Sequence, residues 1–158
     1  MGQEIERKFL IDKNKWQQTN KPPGLFYRQG YLLTDPNKTI RVRLTDQKAY
    51  LTIKGISVSA TRSEYEYEIP VNEAKELLDN FSVSELSKIR YKITFANKLW
   101  EIDEFLGDNA GLIVAEIELT HEDEAFEIPD WITQEVTGEE KYYNSNLTLQ
   151  PYKNWNNG

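Results

Sequence analysis

No cysteine occurs in the 158 residues, which excludes a disulfide framework, a thiolate metal site and a thiol nucleophile. Any metal must therefore be held mainly by oxygen. Histidine is nearly absent as well: His121 is the only one, and it lies near a strand end in an acidic stretch. It reads as a surface residue, which argues against Ser-His-Asp catalysis. No Gly-rich phosphate loop precedes a helix. No apolar run approaches the roughly 20 residues of a membrane helix, and the chain is charged from Glu4 onward, so neither an export signal nor a membrane anchor is expected. Gly2 opens no myristoylation motif, because Glu6 stands where Ser or Thr is required. Cytoplasm is the resulting expectation. Positive charge is in deficit, with 19 Lys and Arg against 26 Asp and Glu and a net charge of -7. That argues against a general nucleic-acid binder, which needs a basic surface. A local cation cluster or a bound divalent ion can still reverse the field inside a cleft.

The length fits one domain, expected over residues 1–150, with a frayed tail over 151–158. Aromatics make up 12%, with Tyr and Trp prominent, which suits half-buried strands. Strands are predicted from Gln3 to Asp12, from Leu25 to Thr34 and then in close succession to about Thr120. The turns between them fall at Thr34-Asp35-Pro36-Asn37, Thr45-Asp46-Gln47, Gly55 to Ala60, Ala96-Asn97-Lys98 and Gly107 to Gly111. Such close spacing implies antiparallel pairing. Asn72, after Pro70, is the N-cap candidate of a helix in which Ala74, Leu77, Leu78 and Phe81 fall at i, i+3, i+4 and i+7, a stripe expected to pack on the outside of the sheet. A second helix is predicted over Asp130 to Val136, behind Pro129. The four Trp residues read as outer packing.

Within the strands the two-residue period separates apolar from charged side chains. Glu4, Glu6 and Lys8 share a face, opposite Ile5 and Phe9. Arg41 and Arg43 alternate with Ile40, Val42 and Leu44, and Thr52 and Lys54 with Leu51 and Ile53. Glu64, Glu66 and Glu68 alternate with Tyr65, Tyr67 and Ile69. Lys88 and Arg90, Glu101 and Asp103, and Glu116 and Glu118 repeat the pattern. An ordinary sheet with one solvated face accounts for alternation alone. Two features point elsewhere: like charges are grouped strand by strand, and Thr, Gln and Ser are sparse at these positions, whereas a solubilising surface mixes signs. The sharper reading places the charged faces inside a closed barrel. Such a lumen must stay wet, pair its charges or bind ions of both signs. A polyphosphate with divalent cations supplies both signs, because Mg²⁺ takes only one or two carboxylates and completes its shell with water and phosphate oxygens.

The ordered set Glu4-x-Glu6-x-Lys8, Gln29-Gly30-Tyr31, Arg41-x-Arg43, Thr52-x-Lys54, Glu64-x-Glu66, Lys88-x-Arg90, Asp103, Glu116-x-Glu118 and Lys141-Tyr142-Tyr143-Asn144 resembles the CYTH domain, the triphosphate tunnel metalloenzymes. The resemblance runs from Glu4 to about Asn144. It implies an all-β dominated (α+β) fold: a closed, eight-stranded antiparallel β-barrel tunnel with a charged lumen and a few outer helices. It also implies hydrolysis of a triphosphate with Mg²⁺ or Mn²⁺, and short members of this kind resemble inorganic triphosphatases, which yield pyrophosphate and phosphate.

By that resemblance Glu4, Glu6 and Glu116 hold the first metal, and Asp103 either joins them or pairs with a lumen cation. Lys8, Arg41, Arg43, Lys54, Lys88 and Arg90 clamp the phosphates, guanidinium forks being suited to two oxygens at once. Glu64, Glu66 and Glu118, with Lys54, are the catalytic set that orients the attacking water. Lys141 is expected near the tunnel mouth or on a closing helix. Glu68 and Glu101 share the parity but lie outside the motif. The expected partner is triphosphate or another small triphosphorylated molecule, with no nucleic acid and no membrane; a homodimer is admissible. Competing readings are an adenylate cyclase, a nucleoside or thiamine triphosphatase, a non-catalytic polyphosphate-binding module, and a lipocalin-like carrier. The carrier fits least, since it needs an apolar lumen.

Overall fold

A computed structural model describes residues 3–35 and 37–155. The first strand, β1 (Glu4–Ile11), alternates as its sequence requires. It ends at Asp12, whose side chain caps α1 (Lys13–Gln18) by accepting from the Lys15 amide at 3.1 Å. Three long strands then follow in succession: β2 (Leu25–Asp35), β3 (Lys38–Leu44) and β4 (Ala49–Gly55). Pro36 of the predicted turn between β2 and β3 lies outside the described residues. The hairpin after β4 leads to the two-residue β5 (Thr61–Arg62) and, past Ser63, to β6 (Glu64–Ile69).

The predicted outer helix is α2 (Val71–Phe81), capped at Pro70 rather than at Asn72. Ala74 and Leu78 bury against Val42, Leu44 and Ala49, on the side of β3 opposite Arg41 and Arg43. Gly30 makes this approach possible: a Cβ there would stand 2.7 Å from Leu78 Cδ2. Next come β7 (Ser84–Phe95) and β8 (Lys98–Phe105), joined by Ala96 and Asn97 with φ of 49° and 66°. Two left-handed residues in a two-residue loop form the hairpin turn whose twist matches its strands. The region 107–111 holds a short 3₁₀ turn before β9 (Ile113–Glu118).

The helix predicted over Asp130 to Val136 is instead a strand, β10 (Ile132–Glu135), paired with β1 at Phe9↔Glu135 and Ile11↔Ile132. Two anchors decide this. Arg7 grips both Glu135 carboxylate oxygens at 2.7 Å, and the Val136 amide donates to the Lys8 carbonyl at 2.8 Å. The chain ends in α3 (Asn144–Leu149) and a 3₁₀ turn over Tyr152–Asn154. Within the expected frayed tail, Trp155 packs on Tyr142 and Tyr152; residues 156–158 lie outside the described set.

The sheet is antiparallel with ten strands, in the order β10-β1-β9-β8-β7-β2-β3-β4-β6, with β5 paired to β1. It is not closed into an eight-stranded barrel. One edge of β1 is shared between β10 and β5, and Ser63 separates β5 from β6. Among the described residues the two ends of the sheet are therefore laddered only at Glu4↔Arg62 and Ile5↔Thr61.

The largest core lies on the side of β1, β8 and β9 that faces away from their carboxylates: Phe9, Trp16, Trp100, Ile102, Ile117 and Trp131 are buried there. This is where three of the four Trp residues were expected. A second cluster, including Leu86, Phe105, Val114, Tyr142 and Leu147, has the same parity as Lys88, Asp103 and Glu116. The inward face is therefore charged over part of its length and sealed by apolar side chains and α3 at one end.

Candidate active site

Because period-two alternation aims every second residue of each strand inward, the charged blocks converge on one cavity of about 240 Å³. It is lined by Glu4, Glu6 and Lys8 from β1, Arg41 and Arg43 from β3, Lys54 from β4, Glu64 and Glu66 from β6, Lys88 and Arg90 from β7, and Glu116 and Glu118 from β9. Twelve residues from six strands thus form one site with Arg62, which alternation did not reveal because β5 is too short to show it. Tyr31, Thr39, Glu101, Tyr143, Asn144 and Ser145 also line it. Glu101 had the right parity; Asn144 and Ser145 stand on α3, whose start carries no side-chain cap to announce it.

Opposite charges meet across strand pairs. Lys54 Nζ stands 3.0 Å from the buried Glu4 carboxylate and 3.7 Å from Glu64. Lys8 Nζ lies 3.4 Å from Glu116 and 4.0 Å from Glu6. Burial works against the Lys8 charge, but Glu116, Glu6 and Glu4 outweigh it and hold this lysine above its ordinary pKa. Glu66 accepts from Thr52 at 2.8 Å and from Arg43 at 3.4 Å, with Arg41 at 3.5 Å.

Asp103 and Lys141 depart from expectation. Asp103 does not line the cavity; it sits behind it, accepting from Arg90 Nε and Nη2 at 2.7 and 2.8 Å and from Lys88 Nζ at 2.8 Å. Of the two roles considered for it, the structure places it with the lumen cations. The ladder pair Arg90↔Asp103 makes this unavoidable. One carboxylate between two buried cations leaves positive charge in excess, and burial pushes Lys88 down to about 7 while the cations hold Asp103 well below the ordinary carboxylate range. Lys141 is exposed and lies 4.5 Å from the Trp155 ring centroid, away from the cavity. Its neighbours Tyr143 and Asn144 enter instead, and Asn144 Oδ1 accepts from Lys88 at 2.9 Å and Gln29 at 3.2 Å. His121 is exposed, as expected.

Two uncompensated features remain. Arg41, Arg43 and Arg62 each keep a buried Nε with no hydrogen-bond partner, although buried polar groups are ordinarily satisfied. Burial, together with Arg41 and Arg90, pushes Arg43 down to about 10, so this wall is short of an anion. Across the cavity Glu118 faces Glu6 in register. Its carboxyl is raised by partial burial and by repulsion from Glu4, Glu64, Glu6 and Glu101, so that wall is short of a cation. Among the described residues no three carboxylates stand close enough to form a ready-made metal cage, since Lys54 and Lys8 hold Glu4, Glu6 and Glu116 in ion pairs. An all-carboxylate donor set with room for other oxygens nonetheless suits a hard divalent cation whose shell is completed by water and phosphate.

The CYTH domain description matches residues 2–150. The chain belongs to the CYTH family. It is 50% identical over 156 residues to a protein named inorganic triphosphatase from Acetivibrio thermocellus, covering 98% of this chain and 99% of the relative. A protein of the same name from Nitrosomonas europaea is 34% identical over 151 residues, covering 92% and 97%. A crystal structure described as an inorganic triphosphatase superposes with a TM-score of 0.62 at 32% identity, covering 92% of this chain and 94% of that one. No helix among the described residues is long and apolar enough to cross a membrane.

Proposed function

We propose that this CYTH protein hydrolyses inorganic triphosphate to pyrophosphate and phosphate, with Mg²⁺ or Mn²⁺, in the cavity enclosed by its curled sheet. The observation that supports this best is the two-sign lining, in which Arg41, Arg43 and Arg62 each keep a buried Nε without a partner and Glu118 has no cation paired with it among the described residues. A triphosphate with a divalent ion satisfies both. The volume of about 240 Å³ lies below the roughly 300–1,000 Å³ usual for drug-sized ligands, which favours an inorganic substrate over a nucleotide.

Glu4, Glu6 and Glu116 would hold the cation, which when bound withdraws charge from phosphate oxygens. Lys8, Arg41, Arg43, Lys54, Lys88 and Arg90 bind the phosphates. Arg41 and Arg43 are pre-aimed by Glu66, and Lys88 and Arg90 by Asp103. In the reaction a water oxygen forms a bond to a terminal phosphorus, the bridging P–O bond breaks, and its electron pair leaves on pyrophosphate. Glu118, made more basic by its neighbours, accepts the water proton, and Glu64 helps place that water. With the phosphates held in line by fixed cations, most of the acceleration comes from positioning and charge neutralisation.

The deciding assay offers purified protein with Mg²⁺ or Mn²⁺ to triphosphate, pyrophosphate, ATP and thiamine triphosphate, scored for phosphate and cyclic AMP. Phosphate release from triphosphate above all others is expected; turnover of none would reduce the protein to a binding module. Arg43→Ala removes a charge-assisted contact and is expected to raise KM for triphosphate about 10–100-fold. An unchanged, salt-insensitive KM would remove Arg43 from the clamp.

The cation reading has a readout without substrate. A raised carboxyl pKa means the folded protein holds a proton that the unfolded chain has released, so Glu118 lowers stability as pH rises through that interval. A divalent cation relieves this. At about 100 times its Kd it adds roughly 2.7 kcal/mol, or about 5–11 °C in Tm for a chain of this size. The gain should be largest at neutral pH and shrink in acid, where Glu118 is protonated; a pH-independent shift in a thermal melt, or none, contradicts it.

A further inference from the structure

Five of the seven cavity cations gather about a tyrosine ring, in two groups. Arg43, Arg90 and Lys88 lie 5.2, 5.3 and 5.9 Å from the Tyr27 centroid. Lys8 and Arg62 lie 5.2 and 5.7 Å from that of Tyr143. All but one of these cations has a carboxylate within 4.0 Å: Lys8 has Glu116, Arg43 has Glu66, and Lys88 and Arg90 share Asp103. Arg62 has none among the described residues, and its Nε is buried without a partner.

Arg62 is nevertheless fixed. Its backbone is laddered to Glu4, and the Glu6 amide donates to the Ala60 carbonyl at 3.1 Å. With Tyr143 it lines the main cavity and both of the spaces that adjoin it, one of about 260 Å³ toward Lys38 and one of about 20 Å³ toward Thr137.

We propose that Arg62 is a specificity-determining residue, gripping the third phosphate of the substrate and so selecting triphosphate over pyrophosphate. The proposal rests on the triphosphatase reading. Two phosphates match the three cations around Tyr27, and a third would extend the molecule toward Lys8 and Arg62 at the Tyr143 end. There it meets a guanidinium that no carboxylate among the described residues occupies, so no ion pair among them is broken on binding, and its unpartnered Nε is available to a phosphate oxygen. At every other cation in the cavity the substrate competes with a carboxylate already in place.

The test compares two constants from one phosphate-release assay with Mg²⁺: KM for triphosphate and the competitive Ki of pyrophosphate. Arg62→Gln is expected to raise KM for triphosphate about 10–100-fold, the loss of a charged hydrogen bond, while the Ki of pyrophosphate and kcat stay within about threefold. Arg62→Lys, which keeps the charge but loses the fork, is expected to raise KM by a smaller factor. A parallel change in both constants, or no change in either, overturns the assignment. Should Arg62→Gln fail to fold, the lysine variant is read by the same ratio, with a parallel change again overturning it. If the unmodified protein releases no phosphate from triphosphate, the triphosphatase reading fails on its own. Calorimetric Kd values for triphosphate and pyrophosphate in both proteins then judge Arg62 directly: selective loss for triphosphate supports it, and equal loss overturns it.

Discussion

Glu6→Gln is expected to lower kcat for triphosphate by about 10³-fold or more, roughly 4 kcal/mol of transition-state stabilisation, while leaving the fold intact. Glu6 is a cleaner position than Glu4 for this change. Glu4 is buried and holds Lys54 through both carboxylate oxygens, at 3.0 and 3.3 Å, so neutralising it leaves Lys54 only the more distant Glu64 at 3.7 Å and mixes stability with chemistry. Glu6 stands 4.0 Å from Lys8, whose nearer partner is Glu116 at 3.4 Å, so Lys8 keeps a counter-ion when Glu6 is neutral. The same change removes one of the charges that raise Glu118. The Tm of the metal-free variant should accordingly match or exceed that of the parent, and the cation-induced rise in Tm should be largely lost. Near-normal turnover with the cation shift preserved would sink the role assigned to Glu6. A collapse of Tm in the metal-free variant would show that Glu6 serves the fold.

What could be seen in the sequence was what local periodicity encodes. The parity of Glu4, Glu6 and Lys8, of Arg41 and Arg43, and of Glu116 and Glu118 is a property of each strand by itself, and the structure gathers all of them into one cavity. The α2 stripe was visible for the same reason. Whatever depended on partners far along the chain was not. That Asp103 pairs with cations followed from its ladder partner Arg90 and the nearby Lys88. Ile132–Glu135 carries both a helix start signal at Pro129 and a short β-branched run, and the Arg7–Glu135 fork with the Val136–Lys8 backbone bond selects the strand. Closure of the sheet depended on which residues reach β1; β10 and β5 divide that edge, and a two-residue ladder leaves no alternation to read. Arg62 was hidden by the same brevity. Lys141 illustrates the opposite error: a cation in the expected block, turned away by Trp155, while the adjacent Asn144 holds Lys88.

Asp103→Asn is expected to destabilise the protein by about 3–5 kcal/mol, the usual result of removing one partner from a buried ionic group, which is roughly 6–20 °C in Tm for a chain of this size. The reason lies in the charge count behind the phosphate wall. Arg90 and Lys88 are 8% and 1% exposed, and Asp103 accepts three hydrogen bonds from them. With an amide there, two buried cations face each other with only the more distant Glu101 and Glu116, 3.2 and 3.7 Å from Arg90, to offset them. An anion in the cavity is the natural substitute. Triphosphate or sulfate should therefore raise the Tm of Asp103→Asn by more than it raises that of the parent, whereas Mg²⁺ should raise both alike. The reverse result, a variant that loses its response to Mg²⁺ and gains none to anions, would return Asp103 to the metal. The expected result places this carboxylate one layer behind the substrate, where it holds Lys88 and Arg90 facing the phosphates and leaves their surplus positive charge for the substrate to neutralise.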